Sequence, residues 1–233
     1  MKIALVGIPE IKAGKHNLKE PRLEEAHRLV KADKLVYAQA DVVDQSELVD
    51  ADALLVSQDG RLELILMDLE FVETRLGRNP TDAERAVLEK IKTALERDEL
   101  ASDVPLTEDE KQTIAAHALV TRKPLTVGSG DELAQPEALL LRCVREAGYM
   151  FFLTVGGKEN RSWIIRQGLT AWEAAGSIHT DIQKGFIRAE VIGWDDFAAE
   201  GGETGAKRAG KQRLEQKAYV MQDCDVVNFR CNK

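Results

Sequence analysis

"MFFLTVGGKENRSWIIRQGLTAWEAAGSIHTDIQKGFIRAEVIGW", residues 150–194, decides how this chain folds. Two apolar runs, MFFLTV and SWIIRQ, flank a Gly-Gly-Lys-Glu-Asn turn, which reads as a β-hairpin. TAWEAAG reads as a short helix closed by Gly176, and GFIRAEVIGW as a strand. Beyond it, DDFAAEGGETGAKRAGKQRLE is broken helix and loop, and KAYVM with DVVNFR reads as a final hairpin. Several short strands wrapped around one helix within about 80 residues predict a compact α+β module, a β-grasp, over 150–233.

The texture upstream is different. Lys2 to Val6 is a fully apolar strand of the kind buried in a parallel sheet. RLEEAHRLVKAD carries Leu23, Ala26 and Leu29 at helical spacing, and KLVYAQADVVD (34–44) and DALLVS (52–57) read as two more strands. KPLTVGS (123–129) is a fourth. Strands alternating with helices indicate an α/β sheet. Between them, LELILMDLEFVETRL (62–76) bears one apolar stripe, Leu62, Ile65, Leu66, Leu69, Val72 and Leu76. GRNP breaks it, and Thr81 with Glu84 opens a second helix carrying Val87, Leu88, Ile91 and Leu95. Two such helices joined by a short turn predict a hairpin. Thr107 with Glu110 starts another helix through KQTIAAHALV, with His117 on it in a structural role. A last helix runs from about Pro136 to Ala147. The expected organisation is an α/β unit over 1–61 and 118–149, a helical hairpin arm over 62–117, and the β-grasp over 150–233.

With 44% hydrophobic and 31% charged residues, the chain can bury a real core. Its net charge of -8 excludes bulk polyanion binding, so any nucleic-acid contact must come from a local basic patch. The cysteines, Cys143, Cys224 and Cys231, are odd in number and form no C-x-x-C pair, which argues against a disulfide framework and a zinc site and points to a reducing, cytoplasmic setting. No stretch approaches the ~18 apolar residues of a membrane span.

MKIALVGIPEIKAGKHN (1–17) approaches a phosphate-binding loop without matching one. The pattern G-x-x-x-x-G-K-[ST] places glycine N–H groups on the phosphates and a hydroxyl on magnesium. From Gly7, the second glycine falls due at Lys12; Gly14-Lys15 arrives two residues late, and His16 stands in the hydroxyl position. Imidazole suits magnesium poorly.

The run SWIIRQGLTAWEAAGSIHTDIQKGFIRAEVIGWDDF, with AYVMQDCDVVNFRCN, resembles the C-terminal TGS domain of the YchF/Obg-like ATPases. More weakly, KIALVGIP is similar to that family's first strand, PRL (21–23) and VVD (42–44) to segments flanking its switch regions, LELILMDLEFVETRL to its coiled-coil arm, and TRKPLTV to its last nucleotide-domain strand. The resemblance implies a shortened member: a degenerate P-loop domain, an inserted helical hairpin and a ubiquitin-like TGS module. Asp44 stands where the family's D-x-x-G begins, but the sequence continues Gln45-Ser46-Glu47; Ser129-Gly130-Asp131-Glu132 replaces N-x-x-E. The remnant nucleotide residues are thus Gly7, Gly14, Lys15 and Glu132. With three elements degraded, the expectation is a non-catalytic protein with no resident cofactor, ATP or GTP with magnesium being the less supported alternative.

TGS modules of translation factors imply an RNA or ribosomal partner, or else a protein one, with neither membrane nor DNA expected. His179, in IHTD, is either a turn residue or an RNA-contacting tip. Lys184 and Arg188 fall on one side of the following strand if both belong to it. Lys207, Arg208, Lys211, Arg213 and Lys217 form a basic run, which is either a solvated face or a phosphate-tracking patch with Trp163, Trp172 or Phe186 for stacking. Cys224 occupies a turn where the resemblance leads one to expect glycine. Three readings stay open: an RNA- or ribosome-binding protein, a residual ATPase, and an adaptor.

Overall fold

The computed structural model describes residues Met1–Asn232. In chain order the elements are β1 (Lys2–Val6), β2 (Gly14–Asn17), α1 (Pro21–Leu29), β3 (Lys34–Val36), β4 (Gln39–Val43), β5 (Ala53–Val56), α2 (Gln58–Leu76), α3 (Asp82–Leu95), α4 (Glu108–Thr113), β6 (Leu125–Val127) and α5 (Pro136–Glu146). They continue as β7 (Tyr149–Thr154), β8 (Glu159–Arg166), α6 (Ala171–Ile178), α7 (Thr180–Lys184), β9 (Phe186–Ile192), α8 (Trp194–Ala199), α9 (Glu203–Arg208), β10 (Arg213–Glu215) and β11 (Asp225–Cys231). Two compact units result: Met1–Lys15 with Asp41–Ala147, and His16–Ala40 with Gly148–Lys233. Residues 16–40, grouped by the sequence with the first strand, fall instead in the unit that contains the C-terminal third.

The first unit is built on a five-stranded sheet of order β2-β4-β1-β5-β6. β4, β1, β5 and β6 run parallel. Such strands are covered on both faces, and Ile3–Val6 and all of β5 are accordingly buried. Leu64 of α2 joins Ala4, Val6, Leu54 and Val56 in the core. Farther along α2, Ile65 and Val72 pack with Val87, Leu88, Ile91 and Leu95 of α3 in a second cluster.

The helix caps correct the sequence reading in three places. α2 begins at Gln58, a turn earlier than its apolar stripe, because the Ser57 hydroxyl accepts the Gly60 N–H at 3.0 Å. At Thr81 only half of the capping box forms. Its hydroxyl accepts from the Glu84 amide, but the Glu84 carboxylate accepts from Arg75 Nε at 2.6 Å and Nη2 at 2.9 Å instead. The box at Thr107 and Glu110 is complete, yet α4 ends at Thr113. His117 therefore lies beyond the helix, where its Nε2 meets Glu84 at 2.8 Å and its ring sits edge-on to Phe71.

This arrangement makes an acid-sensitive clasp. The Arg75 guanidinium first, then His117, hold the Glu84 carboxyl down at about 2 from its ordinary 4.5. A carboxyl lowered by folding contributes stability that is present above its unfolded pKa and lost as pH falls through the folded one. The urea midpoint of the wild type should therefore fall between about pH 4.5 and 2, more steeply than that of Glu84→Gln. Equal slopes would remove Glu84 from the account.

The second unit carries a six-stranded mixed sheet of order β10-β9-β11-β7-β8-β3. β7 and β8 form the antiparallel hairpin read from the sequence, pairing Tyr149 with Arg166 through Thr154 with Arg161. Met150 and Phe152 point into a cluster with Ile165, Ala189, Val191 and Ala171, Ala174 and Ala175 of α6. Alternation sends Phe151 and Leu153, equally buried, to the other face. On that face Asn160 bonds to α1 through the His27 Nδ1 and to the Val30 carbonyl oxygen.

Three strand readings change. KLVYAQADVVD is not one strand: β3 pairs with β8, whereas β4 pairs with β1. The break falls at Ala38, whose amide donates to Ser162 Oγ at 2.9 Å and whose carbonyl accepts from Leu18. KAYVM forms no strand beyond an isolated bridge between Thr170 and Val220. β11 lies instead between β9, antiparallel, and β7, parallel. α6 runs past Gly176 to Ile178.

Candidate functional site

In open parallel sheets ligands bind outside the carboxyl ends of the strands. In the first unit, Gly7 follows β1 there, Ser57 follows β5, and Ser129 to Glu132 follow β6. Gly7 has φ +69°, and a Cβ on it would lie 2.3 Å from Ser57 Oγ. A Cβ on Gly60 would lie 2.5 Å from the Val6 carbonyl oxygen. Both glycines thus let the end of β1 meet the start of α2. Residues 8–13 then form a loop with Ile8 and Ile11 buried, and no helix follows it. Gly14, Lys15 and His16 lie on β2, a strand.

Lys15 is exposed on β2, at one edge of the sheet, and Glu132 lies in the 3-10 turn after β6, at the other. Four strand spacings of about 4.8 Å separate those edges, roughly 19 Å. Glu132 is engaged locally, accepting from the Ser129 amide and from Arg142 Nη2 at 3.1 Å. Asp44 caps a 3-10 turn at Gln45–Asp50, and its bonds from Ser46 Oγ and N hold its carboxyl below the usual range.

In the second unit the basic candidates divide. His179 caps α7, its Nδ1 accepting the Asp181 N–H at 3.1 Å. Lys184 is the last residue of α7 and not part of the strand, so the same-side argument from a four-residue spacing fails. Arg188 lies on β9 beside a register shift opposite Arg230 and Cys231. Ala189 and Val191 face α6, so Arg188 turns to the opposite face, whereas Ile182 of α7 packs on the α6 side.

Arg230, which the sequence reading missed, stands directly opposite Arg188 across β9 and β11. Opposed like charges destabilise a sheet. Arg230 is held by the buried Glu190, which also accepts from Asn228 Nδ2 at 3.1 Å. Among the described residues Arg188 has no side-chain partner. The alternation in both strands was legible, but their register was not.

The later basic run is largely neutralised on its own surface. Lys207 pairs with Glu203 at 2.6 Å, Lys211 with Asp196 at 3.0 Å, and Arg213 with Glu215 at 3.1 Å. Arg208 ends α9 beside them. Phe186 is buried, and Trp172 is partly exposed with its Nε1–H donated to the Gln183 carbonyl. Cys224 is buried at φ +60°, a conformation that costs a non-glycine residue about 1 kcal/mol or more.

A family model described as YchF-GTPase_C, protein of unknown function (DUF933), matches residues 149–232. The ribosome-binding ATPase YchF of Bacillus subtilis (strain 168) is 33% identical over 236 residues, covering 73% of this chain and 64% of that protein. The chain is similar to the YchF/Obg-like ATPases. The ribosome-binding ATPase YchF of Haemophilus ducreyi is 52% identical over 106 residues, 43% of this chain and 29% of that protein. Obg-like ATPase 1 of Rattus norvegicus is 49% identical over 82 residues, 35% of this chain and 21% of that protein. The chain therefore spans less than two thirds of the length of these YchF/Obg-like relatives. Among solved structures, the Schizosaccharomyces pombe YchF GTPase superposes with a TM-score of 0.76 at 18% identity, covering 99% of this chain and 97% of that one, a likeness of fold.

A nucleoside triphosphate, as the names of the YchF/Obg-like relatives imply, does not fit the residues present. The glycine that would cradle a phosphate is occupied with packing on Ser57, and the lysine sits on an edge strand with no helix N-terminus behind it. His16 supplies no hydroxyl for magnesium. Among the described residues no group of three or more His, Cys, Asp or Glu gathers to hold a metal, and no helix is long and apolar enough to cross a membrane.

Proposed function

We propose that this protein is a non-catalytic, ribosome-associated member of the YchF/Obg-like family that contacts RNA through its second unit, which we read as a TGS-type β-grasp module. The helices α2 and α3 serve in this reading as the inserted hairpin arm. The observation that carries it is the contrast between the two units. The first holds Lys15 on one edge strand of its sheet and Glu132 beyond the other, where the Ser129 amide and Arg142 already engage the Glu132 carboxylate. The second keeps an arginine pair, Arg188 and Arg230, opposed on one sheet face with a single carboxylate between them. A phosphate placed over that pair relieves the repulsion and takes up the charge of Arg188. The names of the YchF relatives support the ribosomal partner.

Co-sedimentation with ribosomes tests this, with and without ATP–magnesium. Wild-type protein should pellet independently of nucleotide. The Arg188→Ala, Arg230→Ala double variant should bind about tenfold more weakly, with a salt slope shallower by about 0.7 for each single-strand phosphate no longer neutralised. Binding that requires ATP and vanishes in Lys15→Ala would favour the ATPase reading, and capture of a protein insensitive to RNase would favour an adaptor.

A further inference from the structure

Two adjoining clefts in the second unit share Trp163. The first, of about 390 Å³, is bordered by Asn17, Tyr37, Gln39, Arg161, Trp163 and Ser177. The second, of about 570 Å³, continues past Trp163 to Lys158, Ile178, Ile182 and Asn228. Each lies within the range of sites that hold a single small ligand.

The wall between them is a stack of planar groups. The Trp163 ring lies against Phe152, with 6.1 Å between centroids and 12° between planes. The Arg161 guanidinium lies 4.1 Å over the Trp163 ring. Trp163 is fixed edgewise as well, its Nε1–H donated to Thr154 Oγ1 at 3.0 Å. Arg161 makes only a long contact, 3.6 Å, to Glu159, and its Nε is buried without a hydrogen-bond partner among the described residues. A side chain ordered on a ring, over a third exposed and incompletely bonded, offers a flat, cationic surface to the cleft. Opposite chemistry is also present: the Gln39 amide bonds only to that of Asn17, at 2.9 Å, which leaves exposed donors and acceptors at the rim.

Flat cationic and aromatic surfaces bordered by amides are how proteins take unpaired bases, by stacking on one face and hydrogen bonding to the edge. We propose that the cleft bordered by Tyr37, Arg161 and Trp163 is a subsite for an unpaired nucleobase of single-stranded RNA. This rests on the RNA reading above and adds to it a base-recognising element, distinct from the phosphate contact at Arg188 and Arg230. The Arg161 guanidinium stacks on the base, the Asn17 and Gln39 amides meet its edge, and Lys158 in the adjoining cleft takes a neighbouring phosphate.

The experiment uses the full chain and two fluorescein-labelled RNA hexamers of equal charge, one with bases and one abasic at every position, read by anisotropy. Wild type should bind the base-bearing hexamer about tenfold more tightly, which is the ~1.4 kcal/mol of one stacked base. Arg161→Lys keeps the charge and loses the plane; it should bring the two affinities within about twofold while leaving the thermal midpoint unchanged. The Arg188→Ala, Arg230→Ala variant should weaken both hexamers alike and keep their ratio. A ratio near one in wild type, a ratio untouched by Arg161→Lys, or failure of wild type to bind either hexamer overturns the base subsite. Failure of the ribosome experiment with the ratio intact would overturn only the ribosomal reading.

Discussion

Replacing Asp68 with alanine should lower the unfolding free energy by about 3 kcal/mol, the largest single effect expected in the first unit. Asp68 is only 2% exposed in the middle of α2. Its Oδ1 accepts the Val120 N–H at 3.0 Å, and its Oδ2 accepts the Thr121 N–H at 2.8 Å and the Thr121 hydroxyl at 2.5 Å. These bonds fasten α2 to the 3-10 turn at Val120–Arg122 that leads into β6. Alanine would leave three buried donors unsatisfied, at about 1–3 kcal/mol each, offset by relief from burying a carboxylate. That second effect is visible in the carboxyl itself, which burial pushes up despite its bonds from Thr121 and Val120. A carboxyl raised by folding favours the fold more at acid than at neutral pH, the reverse of Glu84. Asp68→Asn should recover less than half of the loss, because its amide nitrogen would confront donors. Urea titration measures both; a loss below about 1 kcal/mol for alanine would show that the turn finds other acceptors.

The second large effect belongs to Gly7. Gly7→Ala should cost about 2–3 kcal/mol: about 1–2 from a left-handed backbone, the rest from a Cβ set 2.3 Å from Ser57 Oγ. Ser57→Ala alone should cost about 1 kcal/mol by removing the helix cap. In the Ser57→Ala background, however, Gly7→Ala should cost about 1 kcal/mol less, since the colliding oxygen is gone. That coupling distinguishes a packing glycine from a phosphate-binding one. Additive losses would mean that the two residues do not meet.

Much of this fold was readable because burial on both faces leaves continuous apolar runs, as at β1 and β5, and because a one-sided helix leaves a stripe, as at α3. The second unit's hairpin, its central helix and β9 were likewise legible. Failures came where a local pattern was satisfied by a distant partner. KLVYAQADVVD has no internal signal for a break, since its Ala38 amide is taken by Ser162, far along the chain. The capping pattern at Thr81 is genuine, but Glu84 found stronger partners in Arg75 and His117. Around the candidate sites, the spacing of Gly14 and His16 could be read in the sequence, but not that both lie on a strand. Arg230 was hidden, because opposition to Arg188 depends on register, and Arg161 and Tyr37 come to border one cleft only through pairing of β3 with β8.

That last pairing bears on how the chain is made. The edge strand β3 and helix α1 are made before the segment Asp41–Ala147, yet β8 and Asn160, to which they attach, come only after it. At about 5–20 residues per second, roughly 100 intervening residues take about 5 to 20 s. During that interval the first sheet, with β2 and β4 in it, can close while residues 18–38 wait without the β8 partner of β3, and the second unit forms only once β8 has been made. The matched segment 149–232, produced alone, would emerge with the outer edge of β8 bare and Asn160 without its partners on α1.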